Sequence, residues 1–341
     1  LFNLIVIAST HILTKLGITA NPARAMAIGV ITGGTIQALF QLPFVLKNDW
    51  RIYFTSLRNA FTNPGTKKVI ALVGPTIIGM AGYQINDIVS SAPATRAGQG
   101  IVSSLQYSLR LQELILGICA VTIGTVILPD LTGYAKRNEW NSFNSLLEQS
   151  VKIMALIAIP ITFYSLVMGR EIIYLVFKGG RFNDSSILMT QQVFKFHIIG
   201  LFFIAVNRIV SPAFYAQQNT KSPTVAGLIN FAVNITLAAF LVKPFGGKGI
   251  ALALSAASAV NTAVLFFFLA RTRAVAVGSL MKNSIFYALK VALFSAVAIV
   301  PTYLARTFLM DALQTENKFI YAGVPVAATA VIFGIAGLIM L

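Results

Sequence analysis

Arg110 is the residue most suited to chemistry in a chain that is 57% apolar and only 11% charged. It lies nine residues into the apolar run 101–129, about 13 Å from its start at 1.5 Å per residue. A guanidinium there costs on the order of 3 kcal/mol by insertion scales, so something must compensate it. Glu113 is one turn further along the same face and can pair with it. Asp87, near the outer end of the run 69–92, sits at a comparable estimated depth. Two readings are open. The charges form a structural ion pair that holds the run 69–92 against 101–129, or Arg110 faces a water-filled cavity and holds an anionic group such as phosphate. The planar guanidinium suits the second role because it grips phosphate oxygens in bidentate geometry. Gln84, Asn86 and Asp87 put three polar side chains in one stretch where contact with hydrocarbon is unfavourable, so they are expected to face the bundle interior beside Arg110 and Glu113 as substrate contacts. Asn230 and Asn234 form an i,i+4 pair. They serve either as interhelical glue worth about 0.6 kcal/mol each or, with Asp87, as oxygen ligands for a cation.

Other reactive residue types offer less. His11 and His197 have no partner His at metal-ligand spacing and read as interfacial or packing residues, and no metal site is expected. Lys195, Arg208 and Lys290 read as snorkelling from near helix ends. Cys119 is the only cysteine and sits in an apolar run, which leaves no disulfide framework and no cysteine metal site. None of the ten carboxylates forms a DxxD pair, there is no phosphate-cradling GxxxxGK, and Cys119 has no nearby His. An enzyme acting on lipid-linked substrates is therefore disfavoured, and no cofactor is expected. With no ATP site visible, any driving force must come from an ion gradient or the membrane potential.

The elements that must position these residues follow from composition. A charged fraction of 11% is less than half the roughly 25% of a soluble domain, and mean hydropathy is +0.79. Breaking the apolar windows at charges and Pro/Gly clusters gives ten runs: 1–18, 24–46, 69–92, 101–129, 151–169, 191–212, 225–243, 248–270, 285–305 and 320–341. Each is long enough for a span of roughly 30 Å, and the short loops between them leave no room for a soluble catalytic domain. The runs are too long and too weakly alternating for barrel strands, so the expected fold is an all-α polytopic membrane bundle of about ten helices.

The net charge of +16 is scattered in small groups between spans, which fits membrane lipids and an anionic partner rather than a nucleic acid. The segment 47–68 interleaves Trp50, Tyr53, Phe54 and Phe61 with basic residues and reads either as an interfacial segment drawn to anionic headgroups or as a plain connector. Alternate loops carry twelve Lys and Arg on one side against ten on the other, counting Arg170 and Arg306 among the ten. Charge bias therefore only leans toward the first set being cytoplasmic.

An internal repeat says more. The first two runs line up with 225–243 and 248–270: Asn3 falls on Asn230, Gly29 on Ala253, Gly33 on Ala257, Gln37 on Asn261 and Lys47 on Arg271. The copies are offset by six runs, a period of the kind seen in duplicated transporters. The implied organisation is 1–46 as the last two helices of a first lobe, 47–68 as a basic linker, 69–270 as a complete six-helix lobe and 271–341 as two additional helices. On this arithmetic four further helices, about 155 residues, are expected upstream of Leu1 by the transporter-type duplication. Because alternating access needs two bodies to rock, this chain alone is expected not to transport.

Several segments resemble the MurJ (MviN) family of lipid II flippases, within the superfamily of multidrug and oligosaccharide-lipid exporters. They are GPTIIG (Gly74 to Gly79), YSLRLQELILGICAVTIGTVILPDL (Tyr107 to Leu131), VFKGGRFND (Val176 to Asp184) and SPAFYAQQNTKSP (Ser211 to Pro223). The last two are distinctive, because polar loop motifs are not forced by lipid. The resemblance implies two six-helix lobes plus two C-terminal helices that form a lipid-tail groove. It also implies a multi-pass bacterial inner-membrane protein that moves undecaprenyl-diphosphate-linked peptidoglycan precursor outward, with Arg110 as the second-lobe arginine of a central cationic cavity. Some members bind a cation with carboxylates; here Asn234 stands where an Asp can be found and Leu254 near a position that can be Thr, a departure that weighs against sodium coupling. The alternatives are export of another polyprenyl-linked glycan or a drug, and a membrane scaffold without transport.

Overall fold

The computed structural model describes residues 1–19, 21–47, 56–67, 69–70, 94–95, 98–117, 122–272, 275–315 and 317–340. Among them every regular element is helical. Six helices are long and apolar enough to cross a membrane, or up to 7 if one bent pair counts as a span. The chain divides into two compact units, Leu1–Gly74 and Pro75–Leu341.

The first unit holds α1 (Phe2–Lys15), α2 (Pro22–Lys47) and the short α3 (Leu57–Thr62). Asn21 starts α2: its Oδ1 accepts from the Ala23 amide at 2.9 Å, and Pro22 at the first helical position has no N–H to leave unpaired. The α1–α2 contact is made by small residues. A methyl group at Gly29 would lie 3.2 Å from Val6 and Ser9, and one at Gly33 3.2 Å from Phe2, so the two backbones meet more closely than side chains would allow. Leu4 and Ile31 point outward, as lipid-facing residues do. Of the 47–68 segment, Ser56 caps α3 by accepting from the Asn59 amide; Trp50, Tyr53 and Phe54 lie outside the described residues.

The second unit contains α4 (Ile101–Leu116), α5 (Thr122–Lys136), α6 (Trp140–Phe177), α7 (Asp184–Ile199), α8 (Leu201–Ala216), α9 (Lys221–Phe245), α10 (Gly247–Arg271), α11 (Val277–Ala312) and α12 (Val324–Met340), the last preceded by a π-turn at Phe319–Gly323. The 38-residue α6 is its spine and packs against α5, α7, α8, α11 and α12. Leu131, Phe143, Leu147, Phe194 and Phe214 form the buried centre of that packing. The α9–α10 hairpin turns at Gly246 and fully buries Ala253 and Ala257, the positions that the repeat matches to Gly29 and Gly33. Both hairpins therefore use small residues at matched places.

Two polar ties hold α11 against α6. At one end Asn283 donates to both oxygens of Glu148 at 3.1 and 3.2 Å, while Lys152 lies 2.6 Å from the same carboxylate. At the other end Arg306 Nη2 meets Glu171 Oε1 at 2.6 Å. Glu148 to Glu171 and Asn283 to Arg306 are equal intervals of 23 residues, so the two helices run parallel and in register. The ties stand about 35 Å apart at 1.5 Å per residue, close to the roughly 30 Å of a hydrocarbon core. Between them Ala155, Ile159 and Val291 pack together. Tyr164 then pins α12 to the spine by donating to the Val326 carbonyl at 2.6 Å.

Several expectations are corrected. Charges were used as break points, but long helices continue through them, so Arg170 and Arg306 lie inside α6 and α11 rather than in loops. For the same reason Arg208 and Lys290 lie within α8 and α11 rather than near helix ends, whereas Lys195 is near the end of α7; all three are exposed, with Lys290 stacked over Phe294. Residues 118–121 of the run 101–129 lie outside the described residues, and the run 191–212 is a pair of helices bent by 44°. The run 1–18 yields a 14-residue α1, shorter than a full span.

The Glu171 carboxylate is 1% exposed, and its second oxygen and Arg306 Nε are buried without hydrogen-bond partners. Such a pair sets register more than it adds stability, and loss of one partner strands the other charge. Glu171→Gln should therefore destabilise the protein by about 3 kcal/mol, while Glu171→Leu combined with Arg306→Met should recover most of the loss. Thermal unfolding of the four members of that double-mutant cycle in detergent checks this; additive losses would contradict it.

Candidate functional site

The site is built on α4. This helix begins after Gly100, whose φ of 84° turns the chain into it, and its buried face carries Ser104, Leu105, Ser108, Leu111, Gln112 and Leu116. At 100° per residue the opposite face presents Ser103, Tyr107, Arg110 and Glu113, all exposed. Tyr107 fills one end of that face, its ring 4.8 Å from Phe177 and 4.9 Å from Phe182. Arg110 Nη1 and Glu113 Oε2 are 2.8 Å apart, with side chains 72% and 48% exposed. The pair closes within one helix turn, so among the described residues it does not tie α4 to a neighbour. The alternative in which these charges hold the run 69–92 against α4 turns on Asp87, which lies outside the described residues.

One Glu oxygen engages one Arg nitrogen. Among the described residues the other guanidinium donors meet no further partner, and the side chain is 72% exposed, the condition for meeting an incoming anion. Gln84, Asn86 and Asp87, which the sequence groups with this pair, lie outside the described residues.

Asn230 and Asn234 are on α9, one turn apart. Asn234 is fully buried, and Asn230 Oδ1 is buried without a hydrogen-bond partner. Asn261 Oδ1 on α10 is in the same condition. Asn230 and Asn261 lie at similar distances in sequence before and after the turn at Gly246, so they occupy one level of the hairpin. Among the described residues, three or more His, Cys, Asp or Glu side chains do not cluster in a way that could hold a metal ion.

Sequence reasoning missed the polar knot behind Arg110. His197, expected to be interfacial or a packing residue, is 1% exposed, and its Nδ1 is 2.7 Å from Ser108 Oγ, while Gln112 Nε2 donates to the His197 carbonyl at 2.5 Å. The signal was present, since Ser108 and Gln112 are an i,i+4 polar pair in an apolar run.

The sequence matches the family model described as Lipid II flippase MurJ over residues 1–322. The chain belongs to the MurJ lipid II flippase family. A probable lipid II flippase MurJ of Treponema pallidum is 44% identical over 340 residues, covering 100% of this chain and 64% of the relative. One from Bdellovibrio bacteriovorus is 30% identical over 240 residues, 70% of this chain and 45% of the relative. This chain thus spans less than two thirds of their length. In three dimensions it is similar to a lipid II flippase MurJ in an inward closed conformation, with a TM-score of 0.77 and 24% identity over 99% of this chain and 64% of that one. An outward-facing multidrug resistance MATE transporter of the MOP superfamily shares the fold more distantly, with a TM-score of 0.54 and 16% identity over 85% of this chain and 65% of that one. MurJ-family membership and the six candidate spans make this a multi-pass inner-membrane protein, and the family is one of flippases rather than enzymes.

An exposed i,i+3 pair contributes well under 1 kcal/mol to stability. Arg110→Ala and Glu113→Gln should therefore each leave the thermal unfolding free energy within about 0.5 kcal/mol of the parent, in contrast to Glu171→Gln. A large loss in either variant, measured in detergent, would mean that the pair is structural.

Proposed function

We propose that the chain takes part in moving undecaprenyl-diphosphate-linked peptidoglycan precursor, lipid II, outward across the membrane by alternating access, with Arg110 receiving the diphosphate and Glu113 orienting the guanidinium between substrates. The observation that carries this reading is an Arg–Glu pair left on the exposed face of α4, in a chain of the MurJ family. Charges in such segments are retained where they meet substrate, partner or water. Gln84, Asn86 and Asp87 would add polar contacts to the same substrate.

The work of transport comes, in this reading, from an ion gradient or the membrane potential. Asn230 with Asp87 and Asn234 would supply the oxygens that sense a cation; the support is the buried, unpartnered Asn230 Oδ1. The partners are then the lipid-linked precursor and the surrounding lipids.

Complementation of a flippase-depleted strain by the full-length protein tests the proposal. Arg110→Ala should fail at normal membrane abundance, and Arg110→Lys should restore growth only in part, because an ammonium keeps the charge and loses the bidentate fork. Full growth with Arg110→Ala would instead fit a membrane scaffold. Failure of lipid II movement to depend on Arg110, with another polyprenyl-linked glycan or a drug still carried, would favour the other exporters.

A further inference from the structure

Between α7 and α8 the chain bends by 44° at Gly200, and a break of that kind inside a membrane segment frees backbone carbonyls that hydrocarbon cannot satisfy. The Gly200 amide reaches the His197 carbonyl at 3.1 Å, and three neighbouring helices supply further donors. Ser255 of α10 donates to the Phe196 carbonyl at 2.6 Å, Gln112 of α4 to the His197 carbonyl at 2.5 Å, and Thr162 of α6 to the Ile198 carbonyl at 3.2 Å. The approach is close: a methyl group on Gly200 would lie 2.5 Å from Ser255 Oγ and 2.8 Å from its Cα. His197 adds the side-chain bond to Ser108, and the direction of the proton there depends on the tautomer.

Ser108 and Gln112 sit two residues before and two after Arg110. At 100° per residue each lies about 160° around the helix from it, so the bonds to His197 grip α4 on the side diametrically opposite the guanidinium. Ser108, Gln112 and His197 are 0%, 3% and 1% exposed, and a buried polar side chain that loses its partner carries the full desolvation penalty. Rotating α4 to bring Arg110 inward would break both bonds at once. The geometry points to Ser108, Gln112 and His197 as positioning residues that fix the rotation of α4 and thereby aim Arg110 and Glu113 outward from the unit. The bend at Gly200 presents the His197 carbonyl to α4, so the angle of the broken helix and the aim of Arg110 are set by one group. The link to anion recognition rests on the reading of Arg110 given above; the control of rotation does not.

The test uses the full-length protein in bilayers with every native cysteine, Cys119 among them, replaced by serine and a single cysteine at position 110 or 111, probed with a water-soluble, membrane-impermeant thiol reagent. With the knot intact, the thiol at 110 should react at least about tenfold faster than the one at 111, and loss of a buried hydrogen bond worth that factor should narrow the ratio. His197→Ala, Gln112→Met and Ser108→Ala should each narrow it, and His197→Asn, which retains a side-chain partner for Ser108, should restore it. In the background with Arg110 present, farnesyl diphosphate affinity should fall with His197→Ala and recover with His197→Asn. An unchanged 110-to-111 ratio in Gln112→Met and Ser108→Ala would overturn the inference, whether or not His197→Ala folds. If Arg110→Ala leaves farnesyl diphosphate affinity unchanged, the anion reading fails, and the thiol ratios still decide the positioning role.

Discussion

Hydrocarbon offers a backbone carbonyl no donor, and the architecture of the second unit follows from how that constraint is met at one bend. Where α7 gives way to α8, the carbonyls of Phe196, His197 and Ile198 are bonded by Ser255, Gln112 and Thr162. Each donor comes from a different helix, so satisfying the bend gathers α4, α6 and α10 around it. Ser255 can reach its carbonyl because residue 200 is glycine. The same group of bonds settles which side of α4 is inside, and Arg110 is left on the other.

A second consequence concerns the last two helices. Glu148 with Asn283, and Glu171 with Arg306, fasten α11 to α6 at two levels separated by about a bilayer core. Apolar contacts alone discriminate poorly between registers in lipid, because the tails are as apolar as the side chains. Two polar ties at matched intervals admit a single register. The Tyr164 contact to Val326 and Thr329 extends the attachment to α12, so these helices travel with α6 as part of one unit.

Hydropathy made the helical class and most spans legible, because lipid forces long apolar runs. Arg110 and Glu113 were legible because a charge in such a run needs a reason. Helix ends were less so: α6 continues past Glu148 and Glu171 into turns whose charges look like loop residues until a partner on α11 is seen. The bend at Gly200 was hidden as well, since the segment around it, FHIIGLFF, is as apolar as a straight span. His197 looked inert because its partners, Ser108 and Gln112, are more than 80 residues away in sequence. The positions that the repeat pairs, Gly29 with Ala253 and Gly33 with Ala257, are all buried, and close helix contacts restrict side-chain size in both hairpins.

The account stands on the claim that the Arg110 face of α4 borders water rather than lipid. Spin labels at Ser103, Tyr107 and Glu113 in the full-length protein, reconstituted in bilayers, report this through collision with a water-soluble nickel chelate against collision with oxygen. The account predicts nickel accessibility at all three positions well above that of a label at Phe286, which is exposed on the apolar α11. High oxygen and negligible nickel collision on the α4 face, matching Phe286, would place Arg110 in lipid and contradict it.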